Sequence, residues 1–262
     1  MASDEQGRWV GRTVLGIFAH PDDEAFAAAG TLAMCADGGA RVVIACATRG
    51  ESGHDQRDMG TTKALDVLRT EELASSCRAI GADAPLFLGW RDGELAQMDA
   101  ATMAQTLVEV FDQVRPDVVV TLGEDGAYGH TDHLALTEPV AMALSGAQYK
   151  SVRWLQAVFP RDLFLPLRKS LLRSPVRHLI SAKSAGGLGV ERSAVDLCVE
   201  LGPLAQRKLA SIAAHRSQLR DADPMSFLWP GLVGRLTQWE WFVVASGPDL
   251  PERASDPFVG LP

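Results

Sequence analysis

Between residues 13 and 122, short β-branched apolar runs alternate with longer stretches of helical periodicity, and this alternation restricts the fold more than any other feature. The runs at 13–18, 41–47, 85–88 and 117–122 are nearly continuous in apolar residues, whereas a strand with one wet face alternates apolar with polar. The patterns at 26–36, 62–80 and 101–114 have helical spacing, as in Leu65, Leu68, Leu73 and Ile80. Asp37-Gly38-Gly39 and Gly81 end the first two of them. Strands separated by helices pair in parallel through right-handed crossovers. The expected class is therefore α/β, a Rossmann-like, mostly parallel sheet with helices on both faces.

The second half is less regular. Runs at 154–159, 194–201 and 240–245 predict further strands, and 204–219 predicts a helix. No repeat, low-complexity tract or long linker interrupts the chain. A single domain over 1–262 is expected, with 13–145 as the Rossmann-like core and 146–262 as a variable, substrate-side portion that completes it.

In open α/β sheets, ligands gather outside the carboxyl ends of the strands. Two polar clusters fall there. Ala19-His20-Pro21-Asp22-Asp23-Glu24 follows the first strand directly, and His130-Thr131-Asp132-His133 follows the loop after the strand at 117–122. Packing gives no reason for an imidazole and three carboxylates at one strand end. A catalytic divalent site takes three protein ligands and keeps one position open for water. Histidine and carboxylate donors suit zinc, and also iron or manganese where carboxylates are plentiful. His20 and Asp23 could converge on one ion across a turn fixed by Pro21, and one histidine of the second cluster would complete the set. Asp22 would then be a carboxylate available to take a proton from the water. The competing reading of each cluster is a helix cap, from Asp22 or Asp23 in the first and Asp132 in the second. Their expected placement on one sheet edge favours the metal site, and so a hydrolase.

Composition removes other classes. A formal charge of −8, from 25 Lys and Arg against 33 Asp and Glu, argues against nucleic acid as the main partner. The four cysteines occur singly with no C-x-x-C pair, which points to a reducing, cytoplasmic compartment. The first residues are polar, with no signal-peptide core, and no apolar stretch reaches about 18 residues. No Gly-x-Gly-x-x-Gly follows the first strand, so nucleotide binding is disfavoured. Segment 163–190 holds five basic residues and no acidic one. It reads as a solvated lid or loop, with docking on an anionic membrane surface the weaker reading because Pro166 and Pro175 interrupt any helix.

The two clusters together resemble the LmbE-like, or PIG-L, zinc-dependent N-deacetylases of N-acetylglucosaminyl groups. Supporting matches are Thr48-Arg49-Gly50-Glu51-Ser52-Gly53, Arg69-x-x-Glu72-Leu73 and His215-x-Ser217-Gln218. The resemblance is close over 13–145 and looser over 204–218. It implies that His20, Asp23 and His133 bind zinc and that Asp22 is the general base. His130 would be general acid or oxyanion stabiliser, oriented by Asp132, with Tyr128 reaching the substrate carbonyl. Arg69, Glu51 and His215 would contact substrate. From the residues alone, Arg69 could instead pair with Asp66 or Glu72 on its own helix, and His215 could serve a helix C-terminus. The implied activity removes acetyl from an N-acetylglucosamine-containing small molecule, giving acetate and a free amine, in an enzyme expected to be a homo-oligomer. One alternative is an amidase of the same chemistry acting on a thiol conjugate. Another is an inactive sugar-binding homologue, which would have no need of Asp22.

Overall fold

A computed structural model describes residues 7–55, 64–163, 189–227, 231–252 and 254–262. The predicted basic segment lies almost wholly outside these residues. Among the described residues, seven strands form a mixed, mostly parallel sheet, and the chain divides into two compact units.

The first unit comprises Met1–Asp92 and Val199–Glu240. Its strands are β1 (Thr13–Phe18), β2 (Arg41–Cys46) and β3 (Leu86–Phe87). They run parallel in the order β3-β2-β1, with Thr13 opposite Arg41 and Ala45 opposite Leu86. All six residues of β1 are buried, as its uninterrupted apolar sequence predicts for a strand covered on both faces. The pattern predicted as one helix over 26–36 is two, α1 (Asp23–Ala27) and α2 (Ala29–Asp37), broken at Ala28. The break has a tertiary cause. Glu240 accepts the amides of Gly30 at 3.0 Å and Thr31 at 2.7 Å, capping α2 where Ala28 offers no side-chain cap. Lys208 neutralises that carboxylate at 2.6 Å and also donates to the Phe26 carbonyl at 2.8 Å. A buried pair of this kind is costly to break, because the remaining charge has no water. Glu240→Ala should lower unfolding free energy by about 3–5 kcal/mol; an unchanged urea midpoint would refute this role.

Helix α3 (Leu65–Ile80) ends on Gly81, whose φ of 87° supplies the left-handed cap that other residues adopt reluctantly. Its buried stripe is unusually polar and includes Arg69, Glu72 and Ser76. The predicted helix 204–219 is shorter, α7 (Ala205–Ala214). It stops because the Ser217 amide is taken by Glu72 at 2.7 Å rather than by the preceding turn.

The second unit comprises Gly93–Cys198 and Trp241–Pro262. Here β4 (Val118–Leu122) pairs in parallel with β5 (Arg153–Val158), and β5 pairs antiparallel with β7 (Trp239–Ser246). Helix α4 (Ala100–Val114) is capped by Asp99, which accepts the Thr102 amide at 2.9 Å. The short α5 (Gly126–Gly129) leads into α6 (Thr131–Leu144), which continues past Pro139, a residue that ordinarily ends a helical pattern. Fully buried Arg153 donates to the carbonyls of Pro248, Asp249, Pro257 and Val259, holding the last residues against β5. The strand β6 (Leu197–Glu200) spans the boundary residues of the two units, and the helix α8 (Val233–Leu236) belongs to the first. Among the described residues, no helix is long and apolar enough to cross a membrane.

Candidate active site

In the first unit, the turn after β1 places every member of the first cluster. The backbone amide of His20 donates to Asp23 Oδ2 at 2.9 Å, and His20 Nδ1 lies 3.4 Å from the same oxygen. His20 Nε2 lies 3.1 Å from Asp92 Oδ1. Both ring nitrogens of His20 therefore face carboxylates. Asp92 is further fixed by the Ser52 amide at 2.9 Å, and its own amide donates to Glu51 at 3.0 Å. Burial pushes the Asp92 carboxyl up, but His20 outweighs it and holds the group below the ordinary carboxylate range.

Asp22 has φ 122°, a backbone conformation rare for any residue but glycine. Such strain costs about 1–3 kcal/mol and persists only where surrounding contacts hold it. Three do so. Its amide donates to Glu24 Oε2 at 3.0 Å, its carbonyl accepts Ala25 N at 3.0 Å, and its carboxylate meets Arg69 Nη2 at 3.0 Å. Burial pushes the Asp22 carboxyl from its ordinary 3.8 up to about 6, a rise that the Arg69 charge opposes and the Asp23 charge reinforces. Arg69 also donates to the carbonyls of Pro21 and Gly50. It packs so closely over Gly50 that no Cβ could be accommodated there, and Gly50 has φ 68°. The glycine of the Thr48–Glu51 loop is thus a steric requirement of the arginine.

In the second unit, the loop after β4 and the start of α6 hold the other cluster. His133 Nδ1 pairs with the Gly126 carbonyl at 3.1 Å. That acceptor fixes the proton on Nδ1 and leaves the lone pair on Nε2, the tautomer a metal ligand needs. His130 is the N-cap of α6, its Nδ1 accepting the Asp132 amide at 3.2 Å, so a neutral His130 carries its proton on Nε2. The two rings stack with centroids 4.7 Å apart, and the Tyr128 ring lies 5.3 Å from that of His133. Asp132, fully buried, accepts the amides of Gly93 at 2.7 Å and Leu95 at 3.3 Å. Asp125 anchors the loop by accepting Ala127 N at 2.9 Å and Gly189 N at 2.7 Å. Each unit thus offers histidine and aspartate donors that could hold a metal ion.

Several residues stand elsewhere than the sequence suggests. Arg69 pairs with neither Asp66 nor Glu72, but supports Asp22 from behind while itself only 4% exposed. His215 ends α7 at the cap position, yet its side chain is fully buried and bonded through Nε2 to Glu24 Oε1 at 2.6 Å. A group so enclosed reaches substrate only through its neighbours. The cap of α6 is His130 rather than Asp132. Asp132 meets His130 through its backbone amide, while its carboxylate holds the turn at Gly93. Glu51 lies on the exposed loop between Arg49 and Asp92, binding an amide of each. Asp92 escapes a sequence reading as a partner of His20, because its loop has the pattern of an ordinary turn. Cys35, Cys46 and Cys77 are buried, Cys198 is exposed, and none of the four forms a disulfide among the described residues.

Comparison with known proteins agrees with these motifs. Residues 15–144 match the family described as GlcNAc-PI de-N-acetylase, PIG-L. A 1D-myo-inositol 2-acetamido-2-deoxy-alpha-D-glucopyranoside deacetylase of Nakamurella multipartita is 31% identical over 266 residues, covering 91% of this chain and 90% of the relative. The conserved protein TT1542 of Thermus thermophilus superposes with a TM-score of 0.63 at 22% identity, over 92% of this chain and 99% of that one. A 4-carboxy-2-hydroxymuconate hydratase of Pseudomonas putida also gives 0.63, at 17% identity, over 93% of this chain and 100% of that one. One fold therefore carries different chemistries, and the site must decide between them. By sequence match over nearly its whole length, this chain belongs to the PIG-L family.

Proposed function

We propose that the protein is a metal-dependent N-deacetylase, converting an N-acetylglucosamine-containing small molecule and water into acetate and the free amine. The observation that carries this reading is Asp22. It is a strained, arginine-backed carboxylate with a pKa raised to about 6, beside the donors His20 and Asp23. A group that moves protons works best with a pKa near the working pH. The naming of the curated relative as a deacetylase of a glucosaminyl inositol supports the substrate class.

The donors that would hold the metal are His20, Asp23 and His133. Their chemistry fits a divalent ion: two imidazoles and one carboxylate, with the His133 lone pair on Nε2. Zinc suits this set, and iron or manganese is compatible with it. When bound, the ion would supply Lewis acidity to a water molecule and to the amide carbonyl. Asp22 accepts a proton from the attacking water. Tyr128 donates to the carbonyl oxygen as negative charge grows on it. The leaving nitrogen takes the proton that Asp22 accepted, since an amine anion cannot depart at neutral pH, and the Nε2–H of His130 donates to the carbonyl oxygen beside Tyr128. Arg69, Glu51 and Asp132 keep these groups in place. The cysteines, which occur singly in the sequence with no C-x-x-C pair, fit a reducing, cytoplasmic setting.

The test is acetate release from a panel of N-acetylglucosaminyl compounds, with one thiol-conjugate amide included, before and after treatment with a chelator. Acetate from an amino sugar that disappears with the metal and returns on its re-addition is the expected result. Cleavage of the thiol conjugate alone would move the assignment to an amidase, and chelator-insensitive turnover would overturn the mechanism.

A further inference from the structure

We propose that the buried Glu24–His215 pair is a positioning device for Asp22, holding it in the left-handed conformation that aims its carboxylate; this rests on the reading of Asp22 as proton acceptor. Glu24 and His215 are both fully buried, so neither can touch substrate. Glu24 nevertheless reaches the backbone of Asp22, with Oε2 accepting the Asp22 amide at 3.0 Å. Its other oxygen, Oε1, accepts from Ser76 Oγ at 2.6 Å and pairs with His215 Nε2 at 2.6 Å. Ser76 in turn bonds Ser211 Oγ of α7 at 2.7 Å.

The network is built for one end. His215 Nδ1 has no hydrogen-bond partner among the described residues, so the bond to Glu24 is the only hydrogen bond its side chain makes there. Ser217, two residues on, binds Glu72 with its amide at 2.7 Å and its hydroxyl at 2.6 Å. This fixes the His-x-Ser turn to the helix that also carries Arg69. Asp22 is therefore held on two sides: its amide by the neighbouring Glu24, which His215 fixes from the end of α7, and its carboxylate by Arg69 of α3. Without the Glu24 acceptor the part-buried Asp22 amide loses its partner. The peptide is then free to relax toward the negative φ that an L residue prefers, and that rotation turns the carboxylate away.

Glu24→Ala, which removes the acceptor, tests this in the metal-loaded enzyme, read by kinetics and by amide hydrogen exchange at Asp22. The expected result is a fall in kcat of about tenfold or more with KM within about twofold, unchanged metal content and faster exchange of the Asp22 amide. In an Asp22→Asn background the same substitution should change kcat little, because Glu24 acts through Asp22. An equal loss in both backgrounds, or undisturbed exchange at Asp22, overturns the proposal. Should Glu24→Ala fail to fold, Ser76→Ala removes one donor to Glu24 and is read by the same criteria, with a smaller expected effect. If the wild-type protein releases no acetate, the deacetylase reading fails, while the exchange measurement still judges whether Glu24 holds Asp22.

Discussion

Asp22→Asn is expected to lower kcat by about 10²–10⁴-fold, the usual contribution of a positioned general base, while KM and metal content stay near those of the wild type. Asparagine keeps the shape and can still accept from Arg69, but it cannot take a proton from water. In the wild type, kcat/KM should rise with pH through about 6 as Asp22 ionises, and that limb should vanish in the variant. The fold should survive. The folded pKa of about 6 lies above the ordinary 3.8, so the contribution of Asp22 to stability is complete below 3.8 and is lost as pH rises through about 6. Above that pH the ionised carboxylate is a burden that asparagine lacks. Arg69 retains the carbonyls of Gly50 and Pro21 as acceptors. Thermal unfolding at pH 8 should show the variant melting no earlier than the wild type. Full turnover in a metal-replete Asp22→Asn protein would remove the base assignment.

His133→Ala is expected to strip the metal and to reduce turnover by about 10³-fold or more, because the Lewis acid goes with it. His130→Ala, at the neighbouring stacked ring, should keep the metal and lose about 10²-fold in kcat. The contrast follows from the Nδ1 partners of the two rings. The Gly126 carbonyl puts the proton of His133 on Nδ1, whereas the Asp132 amide puts that of His130 on Nε2. Metal analysis beside steady-state kinetics separates the roles. A His133→Ala protein with full metal content would show that the ligand set is wrong.

Much of the frame is legible without coordinates. The strand predicted over 13–18 is β1, and the helix and strand predicted over 101–114 and 117–122 differ from α4 and β4 by one residue at the start. Continuous apolar runs and capping residues are local signals, and local signals survive in sequence. Pattern reading failed where a distant group intervened. Glu240 divides the helix predicted over 26–36, and Glu72 ends the one predicted to run to 219. The same limit applies at the site. His20, Asp22, Asp23, His130 and His133 stand out because they are chemically conspicuous at strand ends. Asp92 does not, because its importance lies in reaching His20 across a gap of chain.

By itself the sequence determined the class of fold and the chemical identity of the donors, since periodicity and composition are properties of neighbouring residues. Only the tertiary structure decided which partners each group meets. It set Arg69 against the carboxylate of Asp22, and it buried His215 against Glu24. It also raised the pKa of Asp22 toward the working range. Burial, charge pairing and backbone strain are set by residues brought together from far along the chain, and no reading of local pattern contains them.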